Sequence, residues 1–180
     1  YIKIMPSQAN YFFVEVLPPY IPVNLCAVLL KDFNILTSAC LEKKGIEPIE
    51  SDLGEYIIQL MGHKPYHFVT PAMHLSLEEI AKLFYEKFET PLDATAEQLT
   101  MKARELLREK YTTAEIGISG ANFLVADTGS IAITENEGNA RLTTTFPKVH
   151  IAVVGIEKVI PTMMDLDLFW PLLASHGTGQ

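Results

Sequence analysis

Cysteines are few in this sequence, and long apolar runs are absent. Its two cysteines, Cys26 and Cys40, lie far apart and outside any C-x-x-C pattern, which predicts neither a zinc site nor a thioredoxin-like motif. We therefore expect a reduced, cytoplasmic protein. No stretch approaches the roughly 18 apolar residues of a membrane-spanning helix. No signal-peptide pattern opens the chain.

Basic residues are also in short supply. The chain has 14 lysines and arginines against 22 aspartates and glutamates, for a net charge of −8. Nucleic-acid binding needs a basic surface, so a nucleic-acid partner is not expected. Phosphate-loop, dinucleotide and nucleophile-elbow motifs are missing. Four histidines have no ligand-like spacing and predict no metal site: His63, His67, His74 and His176.

What is present fits one folded domain. The 180 residues, 48% of them hydrophobic, are enough for a real core. The chain opens at Tyr1 and closes at Gly-Thr-Gly-Gln, from which we expect an excised part of a longer protein.

The first 24 residues are expected to form an irregular or extended segment. Prolines at positions 6, 18, 19 and 22 exclude a helix and a central strand from residues 1–24. Val23–Leu30 is a candidate first strand, and Asp32 can cap a helix that runs to about Lys44 and ends at Gly45. Glu47–Glu50 is a short strand of edge character.

Helical periodicity marks four later segments. One is Asp52–Met61, and another opens with the capping box Ser76-x-x-Glu79, followed by an apolar stripe. The stripe consists of Leu77, Ile80, Ala81, Phe84 and Phe88. The third helix spans about Ala96–Tyr111, and its predicted inward residues are Leu99, Ala103, Leu106 and Leu107. A tail helix, Met163–Ser175, must kink or split at Pro171. His67–Thr70 is a further strand candidate.

The stretch from Gly117 to Lys158 contains three apolar runs of strand length and composition. They are Asn122–Ala126, Ser130–Thr134 and Val149–Val154. Strands alternate with helices in the first half of the chain, which predicts an α/β fold with a mostly parallel sheet flanked by helices on both faces. The later clustering of strands predicts a hairpin within that sheet. Polar loops at strand ends are where such folds bind ligands.

Two of these polar loops are candidate binding segments. Asp127, Thr128 and Gly129, with Ser130, can hold an anion through backbone N–H groups and hydroxyls, or they form an ordinary tight turn. The second loop consists of Asn136, Glu137, Gly138, Asn139, Ala140 and Arg141.

In the second loop, Glu137 is a candidate base or nucleophile. Gly138 permits close backbone approach, and Arg141 can hold a carboxylate through two bonds. The alternative is a hairpin loop in which Glu137 and Arg141 are solvated or paired with each other.

The third candidate segment lies at the last strand. Lys148 and His150 are two residues apart, so they should point to one side of a strand and favour an acidic ligand. The alternative for His150 is a buried, hydrogen-bonded core residue. We expect the three segments to flank strands of one sheet and to bind a small anion, such as a carboxylate. Arg141 and Lys148 supply the positive charge.

These residues resemble the LUD domain of lactate-utilisation iron–sulfur proteins of the LutB type. The resemblance runs from about Leu41 to Gln180 and is weak over residues 1–36. Its motifs are Gly120-x-Asn122-Phe123, Asp127-Thr128-Gly129-Ser130, Asn136 to Arg141, Pro147-Lys148-Val149-His150, Gly155-Ile156-Glu157-Lys158 and Thr178-Gly179-Gln180. The resemblance implies a three-layer domain like those of ribose-phosphate isomerase and CoA transferases over residues 37–180.

The resemblance also implies a function. Such proteins act with other lactate-utilisation subunits in electron transfer and in the oxidation of L-lactate to pyruvate. Their [4Fe–4S] clusters are held by cysteine runs that follow the LUD portion. This chain has two cysteines, too few for a cluster that needs four thiolates. We therefore expect no cofactor in this chain and place the cluster-binding segment beyond Gln180.

Two further interpretations stay open. One is a stand-alone isomerase or CoA-transferase-like enzyme, with Glu135 or Glu137 as the covalent or acid–base residue; it rests on fold analogy. The other is a non-catalytic module that docks partner subunits. The net acidity and the region around Trp170, which is expected to be exposed, are compatible with it.

Overall fold

A computed structural model describes residues 2–6, 11–16, 25–29, 41–63, 66, 70–135 and 137–178. For the first three ranges and for residue 178 the description is of the backbone. Within these residues the strands are β1 (Ile2–Pro6), β2 (Tyr11–Val16), β3 (Leu25–Leu29), β4 (Ile46–Glu50), β5 (Ile116–Ser119), β6 (Phe123–Val125), β7 (Ser130–Ala132), β8 (Val149–Gly155) and β9 (Val159–Ile160). The α-helices are α1 (Leu53–Met61), α2 (Leu77–Phe88), α3 (Ala96–Thr113), α4 (Asn139–Thr145) and α5 (Leu166–Thr178). Short 3-10 turns cover Ile156–Lys158 and Met163–Asp165.

The main sheet confirms the predicted α/β class. Its strand order is β1-β2-β8-β5-β3-β4. The four strands from β8 to β4 run parallel to their neighbours, and β1 and β2 add an antiparallel hairpin beside β8. Parallel strands with intervening helices are consistent with the three-layer arrangement. The short strand β4 lies at the sheet edge, as its sequence predicted.

The amino-terminal strands correct one expectation. Proline density excluded a central strand from residues 1–24, yet β2 lies inside the sheet, between β1 and β8. The stretch Tyr11–Val16 contains no proline, so every residue in it has a backbone N–H for pairing within the sheet. Pro6 closes β1 at the edge, where a missing N–H costs little.

The predicted hairpin within the main sheet is also corrected. Strands β6 and β7 pair antiparallel but form a separate three-stranded sheet with the order β7-β6-β9. Each strand of this hairpin has three residues, whereas β8 has seven. Strand β8 is the one that lies beside β5 in the main sheet.

Helices α1, α2 and α3 each begin after a residue whose side chain caps them. Asp52 caps α1 by accepting a hydrogen bond from the Gly54 N–H at 3.0 Å. Ser76 and Glu79 form the predicted capping box of α2, and Thr95 caps α3 in the same way. Such caps each stabilise a helix by about 1 kcal/mol.

Helix packing follows the predicted stripes with one exception. Phe84, Leu99 and Ala103 are buried in the core between α2 and α3. Leu77 was predicted to face inward but is 44% exposed. Leu77 is the first residue of α2, so no preceding helical turn covers its side chain.

The tail helix is continuous. Pro171 lies inside α5 without splitting it, because the helix begins at Leu166 and only one hydrogen bond near its first turn is lost. Two other predictions fall partly outside the described residues. Of the helix predicted from Asp32, residues 41–42 are helical and Gly45 has the left-handed φ of 76°. Of the strand His67–Thr70, Thr70 is described and is not in a strand.

Candidate functional site

The Asp127–Ser130 segment is the turn of the β6–β7 hairpin. The Gly129 N–H donates to the Val125 carbonyl at 2.9 Å, and Gly129 has a φ of 67°. The Ser130 N–H donates to the Thr128 hydroxyl at 3.3 Å. Asp127, Thr128 and Gly129 are exposed. The turn belongs to the small sheet, so the three candidate segments do not flank strands of one sheet as predicted.

The second predicted loop is largely a helix. Asn136 lies outside the described residues, but Gly138, with a φ of 78°, is the N-cap of α4. The Asn139 side chain accepts from the Ala140 N–H at 2.9 Å. A helix was missed here because its three consecutive threonines are weak helix formers. The spacing of Ala140 and Thr143, both buried, was the available helical indication.

Arg141 pairs with a different carboxylate from the one expected. Its guanidinium lies 3.1 Å from Glu135 Oε1, and its backbone N–H donates to Glu135 Oε2 at 2.8 Å. The alternative interpretation had paired it with Glu137. The side chain of Arg141 is 78% exposed, and that of Glu135 is 18% exposed. The Glu135 carboxylate thus both orders the first turn of α4 and pairs with the exposed guanidinium.

Lys148 lies at the amino ends of the parallel strands. Its ammonium pairs with Glu115 at 3.1 Å, and the neighbouring Val149 N–H donates to the Glu115 carbonyl. Lys148 precedes the first residue of β8, so strand alternation does not govern its direction. It points towards the start of β5, whereas His150 contacts the end of that strand. The two side chains therefore have separate partners at the two ends of β5, and their joint binding of an acidic ligand stays a prediction.

His150 forms a polar pair that the sequence did not predict. Its Nε2 lies 2.7 Å from the Ser119 hydroxyl, across the β5–β8 pairing. Ser119 is completely buried, and His150 is half-buried. Burial lowers the pKa of His150 below its usual value. The hydrogen-bonded alternative for this histidine matches the observed contact.

Helix α4 lies directly on β5. A Cβ at Gly117 would overlap the carbonyl oxygen of Thr143 and reach Pro147 Cγ at 3.1 Å. Only a glycine permits this approach of helix to strand. The register pairs Gly117 with His150, so α4 and the histidine are positioned by the same part of the sheet.

A buried group of hydroxyls lies beside α4. The Tyr111 phenol donates to the Ser51 carbonyl at 3.3 Å. Burial raises the pKa of Tyr111 to about 12, and the carboxylates of Glu137 and Asp52 add to this rise. Ser51 and Thr143, beside the phenol, oppose part of this rise. Among the described residues, the hydroxyls of Thr143 and Ser51 have no partner in full hydrogen-bonding geometry. No sequence pattern indicated this group.

The tail region carries an open apolar groove. It is lined by Ala132, Leu166, Asp167, Trp170 and Pro171. The Trp170 ring, 36% exposed, packs against Phe123 with 6.1 Å between ring centroids. Across the part of the chain that the structure describes, no helix is long and apolar enough to cross a membrane. In the same part, no three His, Cys, Asp or Glu side chains gather into a group that could hold a metal ion.

Comparison with known proteins gives a consistent set of similarities. The family model of the LUD domain matches residues 23–180. Lactate utilization protein B of Bacillus pumilus (strain SAFR-032) is 48% identical over 148 residues, which cover 82% of this chain and 31% of that protein. The Bacillus subtilis (strain 168) protein of the same name is 43% identical over 141 residues, 78% of this chain and 29% of that protein.

An Escherichia coli (strain K12) protein named uncharacterized electron transport protein YkgF is 45% identical over 139 residues, 77% of this chain and 29% of that protein. The chain thus spans about 30% of the length of these relatives. No solved structure matches the chain significantly.

Proposed function

The chain belongs to the LUD-domain family, and we propose that it is the LUD domain of an iron–sulfur subunit that takes part in oxidising L-lactate to pyruvate. The observation that carries the proposal is the 48% identity over 148 residues to a protein named Lactate utilization protein B. The relative named as an electron transport protein supports an electron-transfer role. Partner subunits of the same system and a cytoplasmic location are part of this proposal.

The iron–sulfur cluster is proposed for another segment of the full protein. Two cysteines in the sequence are too few for a [4Fe–4S] cluster, which needs four thiolates. Cys26 lies in β3, and Cys40 is outside the described residues. The residues of this chain therefore do not fit the cluster. The domain's contribution is ligand binding and positioning.

The proposed ligand is a small carboxylate. Arg141 supports this because its guanidinium is exposed on α4 and already holds a carboxylate, that of Glu135. His150 supports it because its ring reaches the carboxyl end of β5, the side on which open α/β sheets bind ligands. The other candidates in the polar loops are Asp127, Thr128, Gly129, Asn136, Glu137, Gly138, Asn139 and Lys148.

Subunit docking is a second candidate role. Around the tail groove, Met164 is 80% exposed, Leu168 is 61% exposed and Leu172 is 45% exposed. Clustered exposed apolar side chains are typical of protein–protein contact surfaces. A docking role is compatible with ligand binding elsewhere on the domain.

Exchange of domains in a lactate-utilising bacterium tests the proposed function. In Bacillus subtilis, the matching segment of Lactate utilization protein B is replaced by this chain, and growth on L-lactate is compared with growth on pyruvate. We expect the chimera to restore lactate growth to a strain that lacks the gene. A chimera that accumulates normally and supports growth on pyruvate but not on L-lactate would contradict the proposal.

A further inference from the structure

The Ser119–His150 pair lies beside the point at which the strand order of the main sheet reverses. After β3 the chain proceeds to β4 on one side, and β5 and then β8 lie on the other side. The connection that follows β3 and the connection that follows β5 therefore lead to opposite sides of the sheet. Open α/β sheets bind ligands in the crevice outside the carboxyl ends of two such strands. Ser119 is the last residue of β5 and adjoins this position.

The burial of Ser119 bears on which ring nitrogen of His150 carries the proton. Ser119 is completely buried, so its O–H needs an acceptor within the protein. In the part of the chain that the structure describes, the polar atom within hydrogen-bond distance of its hydroxyl is His150 Nε2, at 2.7 Å. Donation from Ser119 to Nε2 satisfies both groups. The reverse arrangement leaves a buried hydroxyl hydrogen without an acceptor, which is unfavourable.

We propose that Ser119 is a positioning residue that holds His150 as the Nδ1–H tautomer, so that the imidazole donates a hydrogen bond to an oxygen of the carboxylate ligand. The inference rests on the proposed function for the class of ligand. The lowered pKa of His150 favours the neutral ring, and a neutral imidazole that accepts at Nε2 donates from Nδ1. A neutral donor orients an anion without the desolvation cost of a second cation.

Nitrogen NMR of the full-length protein, selectively labelled with ¹⁵N-histidine, tests the tautomer. The His150→Gln variant assigns the His150 signals. We expect Nδ1 to carry the proton in the wild-type protein and the preference to weaken in Ser119→Ala. Ser119→Thr, which keeps the hydroxyl, should retain it. A ring protonated on Nε2 in the wild-type protein would overturn the inference. So would an unchanged tautomer in a folded Ser119→Ala variant.

Titration with L-lactate tests the ligand contact, with propane-1,2-diol, which lacks the carboxylate, as the control compound. We expect L-lactate to shift the His150 Nδ1 signal, the diol to leave it in place, and Ser119→Ala to weaken binding several-fold. A signal unmoved by saturating L-lactate would overturn the contact. The proposed function fails separately, through the growth of the chimera. An Nε2-protonated or lactate-insensitive ring in a protein that still supports growth on L-lactate rejects this inference alone.

Discussion

Gly117 offers a sharp test of how α4 is held on the sheet. In Gly117→Ala, the new methyl group would overlap the carbonyl oxygen of Thr143 and touch Pro147. The obstacle is backbone, so it cannot move away as a flexible side chain would. Either α4 lifts from β5 or the strand shifts. Overpacking of this kind costs about 1–3 kcal/mol, and the backbone obstacle places Gly117→Ala near the upper end.

The magnitude is measurable by urea unfolding. With a denaturant slope of about 2 kcal/mol/M, a loss of about 2–3 kcal/mol lowers the midpoint by about 1–1.5 M. The chain has a single tryptophan, Trp170, whose fluorescence follows the tail region, and circular dichroism follows the helices. Coincident transitions by both probes justify a single free energy of unfolding.

Gly120→Ala is the matched control. A Cβ at Gly120 would lie 3.9 Å from the Val153 carbonyl oxygen, an ordinary contact. Reducing the freedom of the unfolded chain should then leave stability unchanged or raise it by about 0.4–1 kcal/mol. Equal stability of Gly117→Ala and the wild-type protein would refute the packing of α4 on β5. Equal destabilisation by both substitutions would show that the close approach is not specific to Gly117.

Three further predictions concern single side chains. Thr143→Val should leave stability unchanged or raise it by up to about 1 kcal/mol in the same urea assay, because it removes a buried hydroxyl for which the described residues offer no partner in full hydrogen-bonding geometry; a clear loss would reveal a hydrogen bond. The pKa of His150 is lowered in the folded protein. Below about pH 6.5 the unfolded chain therefore binds more protons than the folded protein, and the free energy of unfolding should decline as the pH falls from there towards the folded pKa. Urea midpoints across that range should decline less in His150→Gln; equal slopes would contradict the shift. Because the guanidinium is exposed, Arg141→Ala should weaken L-lactate binding by up to about 1 kcal/mol, or about fivefold by calorimetry, and Arg141→Lys should lose most of this too; unchanged binding by a folded Arg141→Ala variant would remove Arg141 from the site.

The parts of the fold that depend on local chemistry were predictable from the sequence. The capping box of Ser76 and Glu79 and the cap at Asp52 involve residues only two or three positions apart. The apolar run that became β8 needed no partner to be recognised. These elements follow from propensity and spacing, which the sequence displays directly.

The parts that depend on distant pairing were not predictable. Strand β2 reaches the interior of the sheet because Phe13 pairs with Val153, which lies far along the chain. Helix α4 contains weak helix formers and is stabilised by its contact with β5, so tertiary packing overrides propensity there. The Ser119–His150 bond spans 31 residues and exists only in the observed register of β5 and β8.

The guanidinium of Arg141 is already paired, so an anionic ligand competes for it with the Glu135 carboxylate. Glu135 is suited to exchange because its two oxygens hold separate donors: Oε2 the Arg141 backbone N–H and Oε1 the guanidinium. The guanidinium can turn to a ligand while Glu135 still holds the helix. Glu135→Gln keeps an acceptor for the N–H and removes the competing charge.

Since the guanidinium is exposed, that competition is worth at most about 1 kcal/mol. L-lactate should therefore bind up to about fivefold tighter to Glu135→Gln in calorimetry. Glu115→Gln, which frees Lys148 in the same way, is the control and should leave affinity unchanged. Tighter binding by Glu115→Gln alone would assign the ligand to Lys148 and remove Arg141 from the site.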